Sequence, residues 1–97
     1  MDVLAITASG TNQVADPAKP RNFLGIYNQS ASATVYVAFD TAAVAAATAG
    51  QITLVPLGTG GVAASSVVWN AADPRGVPQH AINIIASAGS TPVTLIE

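Results

Sequence analysis

His80 is the only imidazole in the chain, so any acid–base or nucleophilic chemistry would have to be built around it. A catalytic triad needs a serine and a carboxylate beside that ring, and no Gly-x-Ser-x-Gly elbow or other nucleophile signature accompanies it. The plainer reading is an imidazole at a strand entrance, capping backbone groups beside Pro78. As a metal ligand His80 has no second histidine and no cysteine to work with, and the five carboxylates are scattered at Asp2, Asp16, Asp40, Asp73 and Glu97. Gly58-Thr59-Gly60-Gly61 has the glycines of a phosphate cradle without the Lys-Ser or Lys-Thr pair that would complete it, and reads as a mobile loop. Asn28-Gln29-Ser30 matches a glycosylation sequon but reads as a hairpin corner, since no export signal precedes it. The expectation is a protein with no catalytic residue, no metal and no cofactor.

Side chains suited to holding a partner are easier to find. Asp16, Lys19 and Arg21 lie in or beside one loop and Asp73 and Arg75 in another, so five of the eight charged residues fall in two loops. Solvated loops explain this by default. The sharper reading is a polar rim, in which Arg21 and Arg75 make bidentate contacts with a partner's carboxylates. Tyr27, Tyr36 and Trp69 are the large amphipathic rings; on strands such rings serve as core or interface anchors, and as a trio they could stack on sugars. The contact candidates are therefore Arg21, Tyr36, Trp69 and Arg75.

Composition narrows the possibilities. Ninety-seven residues make one domain, spanning 1–97. Charged residues make up 8% of the chain, against roughly 25% in an ordinary soluble domain, while apolar residues reach 51%. A net charge of −2 is too weak and of the wrong sign for a phosphate backbone, so nucleic acid is not an expected partner. No segment reaches the roughly 18 apolar residues of a membrane helix, and Met1-Asp2-Val3-Leu4 does not open a secretory signal, so a soluble chain made in the cytoplasm is expected.

The elements that must position these residues read as short strands separated by Gly, Pro, Ser and Asn clusters, the pattern of an all-β sandwich or jelly-roll-like barrel of six to eight strands. Residues 3–7 place Leu4 and Ile6 on one face, and 10–20 read as a polar loop broken by Pro17 and Pro20. Segments 21–29 and 34–40 read as a hairpin about 30–33, with Val35, Val37 and Phe39 on a shared face. Residues 41–50 are Ala-rich and fit one or two helical turns or a loop. Residues 51–57 and 66–70 read as further strands. Segments 81–87 and 91–96 read as a closing hairpin, with Gly89 supplying the left-handed residue. Val35, Val37, Phe39 and Ile84 are the expected core.

Val67-Val68 and Ile84-Ile85 put large aliphatic groups on both faces of their strands, yet a sandwich buries only one face of each sheet. Something must cover the other face: a second subunit or partner, or the 41–50 segment folding back.

The run Arg21-Asn22-Phe23-Leu24-Gly25-Ile26-Tyr27-Asn28 followed by Val35-Tyr36-Val37-Ala38-Phe39-Asp40, with Val68-Trp69-Asn70 and the closing Pro92-Val93-Thr94-Leu95-Ile96, resembles small virion structural proteins of tailed bacteriophages. The resemblance spans about 20–97, and the Ala-rich 41–50 segment departs from it. It implies a β-sandwich or jelly roll without catalysis, assembled in the host cytoplasm into the virion as a capsid decoration or minor head protein. It further implies docking on the major capsid protein or another virion protein, and a homo-oligomer with a trimer favoured. A carbohydrate-binding or tail-associated adhesion module, with Trp69 or the tyrosines on sugars, is the alternative.

Overall fold

A computed structural model describes residues 2–58, 64–72 and 76–97. Among them are eight strands and no helix: β1 (Val3–Ala8), β2 (Gln13–Asp16), β3 (Phe23–Asn28), β4 (Val35–Phe39), β5 (Ile52–Leu54), β6 (Ser66–Asn70), β7 (Ile82–Ala86) and β8 (Thr91–Ile96). They form two four-stranded antiparallel sheets, a first in the order β1-β8-β3-β6 and a second in the order β2-β7-β4-β5. The ladders β1–β8, β2–β7, β3–β6 and β4–β5 pair the chain's first half with its second in nested order. This is one long hairpin folded across itself into two layers, the jelly-roll arrangement.

Alternation explains which face each strand buries. Leu24 and Ile26 of β3, Val93 and Leu95 of β8 and Trp69 of β6 point in from the first sheet, and Val35, Val37, Leu54, Ile82 and Ile84 meet them from the second. The expected core residues Val35, Val37, Phe39 and Ile84 all take part. Phe39 meets Trp69 edge-to-face across the layers, with ring centroids 5.8 Å apart and planes at 78°.

Both hairpins expected from the sequence are instead corners between sheets. β3 belongs to the first sheet and β4 to the second, because their apolar faces oppose each other across the core rather than lying side by side. Asn28 makes the turn: its fully buried amide donates to the carbonyls of Ala33, Leu54 and Val55 at 2.8–3.1 Å, and its Oδ1 accepts the Ser30 N–H at 2.9 Å. A short polar side chain here satisfies backbone groups that the sharp corner would otherwise bury unpaired. β7 and β8 divide between the sheets in the same way, and the left-handed residue of their connection is Ser90 (φ 55°) rather than Gly89.

One further segment differs from expectation, and another takes one of its two expected forms. Within 10–20, read as loop, β2 forms a short edge strand on β7 that ends in a register shift between Val14 and Asp16 and then Pro17. Residues 41–50 form a loop, not helical turns. The Gln51 side chain holds it, accepting the Val44 N–H at 2.6 Å and donating to the Val44 and Ala46 carbonyls, and Gly50 at φ 86° returns the chain to β5. Gly50 suits that position because a β-carbon is disfavoured at positive φ.

Candidate functional site

Arg21 does not reach a surface where it could meet a partner. Its side chain is 1% exposed and all five of its N–H donors are used internally. Nε donates to Glu97 Oε2 at 3.0 Å, Nη1 to the Pro78 and His80 carbonyls at 3.0 Å each, and Nη2 to Asp16 Oδ2 and the Pro17 carbonyl at 2.8 Å each. Only the planar fork of arginine can serve so many acceptors at once. The Arg21 backbone is held too, by a two-way bond with the Gln79 side chain amide.

Lys19 closes the cluster from the solvent side, contacting Glu97 and lying 3.3 Å from Asp16. The group is thus two acids and two bases with no net charge. Burial would raise the Asp16 carboxyl, but the hydrogen bonds donated by Arg21 and Lys19 and the Lys19 charge outweigh it and hold the group below its ordinary value. The Glu97 carboxylate holds the Lys19 ammonium above its ordinary value, with Asp16 assisting. Asp2, Phe23 and Glu97 join Lys19 and Arg21 around a shallow groove of about 420 Å³. The groove's two cations are both committed to the network beneath it.

Trp69, the other anchor expected at a contact surface, is 8% exposed and belongs to the core. It therefore offers no ring face to a sugar. Tyr36 lies on the outer face of the second sheet with Ala38 and Ile85, and Ala43 from the 41–50 loop packs onto this group. A bond from the Ala43 N–H to Asn12 Oδ1 at 2.8 Å pins the loop in place. Of the two covers foreseen for the aliphatic pairs, the chain's own loop shields Ile85. Arg75, Asp73 and most of the Gly58–Gly61 turn lie outside the described residues. His80 pairs through Nδ1 with Asp40 Oδ2 at 2.5 Å on an exposed surface. Among the described residues no group of three or more His, Cys, Asp or Glu is placed to hold a metal ion.

The outer face of the first sheet has no such cover among the described residues. Its registers align Val3, Ile96, Gly25 and Val68 in one row and Ala5, Thr94, Tyr27 and Ser66 in the next, with Thr7 and Pro92 beyond and Phe23 beside Asn70. Among the described residues, no strand position on it is charged. Val3 is 66% and Val68 42% exposed, so the face shows water its aliphatic groups. The Tyr27 ring lies over Gly25, where a β-carbon would come within 2.7 Å of Tyr27 Cε2. That glycine leaves room for the ring to lie over the sheet.

Sequence reasoning named Val68 as a group needing cover but did not assemble this face around it, because that requires knowing that β3 and β6 are neighbours. Glu97's part in the Arg21 cluster, 76 residues away along the chain, carried no local signal either. No protein-family model, curated protein or solved structure matches this chain.

Proposed function

We propose that this protein is a non-catalytic virion structural component, a capsid decoration or minor head protein that stabilises a particle by laying the outer face of its first sheet on coat subunits. The observation that supports this reading most is the outer surface spanning β1, β8, β3 and β6, uncharged among the described residues, with Val3 and Val68 exposed upon it. Docking such a surface removes apolar area from water without desolvating a charge. Repetition on a symmetric shell then multiplies a modest single-site affinity. The sequence resemblance to phage virion proteins and the jelly-roll topology point the same way, jelly rolls being common in capsid proteins.

The test is co-sedimentation with particles that lack this protein, assembled from the genome that carries its gene. Wild type is expected in the pellet. Val68→Lys, which places an ammonium on the face at an exposed position and should change stability by no more than about 0.5 kcal/mol, is expected to stay in the supernatant. Wild type remaining in solution overturns the reading.

A further inference from the structure

We infer that the open edge of β1 is a self-association site at which a second copy of this chain adds in antiparallel fashion, joining two first sheets into one. The phase of the β1–β8 ladder carries the argument. Asp2 and Glu97 exchange both backbone bonds, Asp2 N–H to Glu97 O at 2.7 Å and Glu97 N–H to Asp2 O at 2.9 Å. In an antiparallel ladder such pairs recur at every second residue. Leu4, Ile6 and Ala8 therefore bond to β8, and Val3, Ala5 and Thr7 aim their N–H and C=O groups outward. Pro92, which has no N–H, stands opposite Thr7, at a position where no bond to β1 is made. Among the described residues nothing pairs with the outward groups.

Of the other edge strands, the two of the second sheet are blunted, β2 being four residues with a register shift and then Pro17 and β5 three residues followed shortly by Pro56, while β6, the far edge of the first sheet, is five residues. β1 is the longest edge strand, at six residues, and carries neither a proline nor a charge. Those are the devices by which edges normally repel other strands. Among the described residues the two most exposed large aliphatic side chains, Val3 and Val14 at 66% and 60%, lie on β1 and on β2, the edge of the facing sheet.

The occupant is a second copy because the edge complements itself. A two-fold axis at Ala5 sets Val3 against the partner's Thr7 and Ala5 against the partner's Ala5, so every outward group finds a mate. The side of the sandwich is about 20 Å along β1 and about 20 Å across both layers, on the order of 400 Å² per copy. That is half of the roughly 800 Å² per partner of a stable interface, so the dimer is weak, with a dissociation constant of roughly 10–100 μM. This inference goes beyond the docking role and stands whatever the particle is.

Sedimentation of the full chain from about 1 μM to about 1 mM should show a monomer passing to a dimer. Amide exchange at Ala5 and Thr7 should slow as concentration rises, while Leu4 and Ile6, already bonded to β8, should not change. Ala5→Pro removes an N–H that the fold does not use, and is expected to stay monomeric with an unchanged melting point at low concentration. Should proline disturb the strand, Val3→Lys at this exposed site serves the same purpose by charging the edge. A monomer at the highest concentration, a trimer, or a dimer in which Ala5 and Thr7 exchange as freely as before overturns the inference. Particle binding separates the two readings: Val68→Lys, on the strand at the opposite edge of the sheet, should fail to dock and still dimerise.

Discussion

At the residue scale, Arg21 is the most committed side chain in the molecule. A buried guanidinium is costly to desolvate, and it is retained here because every donor has an acceptor and two carboxylates share its charge. Truncation should therefore be severe. Arg21→Ala leaves Asp16 and Glu97 buried beside a single ammonium, and should cost about 3–5 kcal/mol, a large part of the stability of roughly 5–15 kcal/mol typical of a single domain. Urea titration of both proteins measures the difference. The double variant Arg21→Met with Asp16→Leu should recover part of the loss, because the orphaned acid leaves with its partner. A loss under about 1 kcal/mol for the single variant would mean that the network is ornamental. The sequence made Arg21 and Asp16 visible as charges in a loop. Their inward direction was not legible, because it depends on Glu97, Pro78 and His80 arriving from the other end of the chain.

At the element scale, seven of the eight strands and their buried faces were legible, while β2 and the strands' partners were not. Alternation in 34–40 or 91–96 is a local property, set by which side chains must leave water. A corner and a hairpin share the same turn-forming residues, and what separates them is whether two apolar faces meet across a core or lie in one plane. Asn28 illustrates this: its type suggests a turn, but its three carbonyl partners come from two separate segments. Ser90 offers a test at this scale. A serine at φ 55° pays for a left-handed backbone that glycine adopts freely, so Ser90→Gly should change stability little or raise it by up to about 1 kcal/mol. Thermal melts decide this, and a drop of more than about 1 kcal/mol would show that the serine side chain holds the corner.

At the scale of the whole molecule, pH dependence follows from the buried ionic cluster around Arg21. Asp16 is held below its ordinary pKa, so its contribution is present above the usual carboxylate range and is lost as pH falls through the depressed folded value. Lys19 is held above its ordinary pKa, so its contribution is present below the usual lysine value, about 10.4, and is lost as pH rises through the elevated one. The Lys19 side chain is more than a third exposed, and salt should screen the alkaline effect. Melting temperature should therefore be level between about pH 5 and pH 9, fall toward pH 2 and fall less above pH 11. A midpoint of loss well above the carboxylate range would overturn the cluster's control of acid stability.

The neutral cluster has one more consequence. With Asp16, Lys19, Arg21 and Glu97 cancelling among themselves, the net charge of −2 rests on Asp2, Asp40, Asp73 and Arg75 alone. Such a molecule casts almost no long-range field. Any partner meets it by unguided diffusion, at the roughly 10⁵–10⁶ M⁻¹s⁻¹ of uncharged encounters, and lets go at a rate that dissolved ions hardly alter.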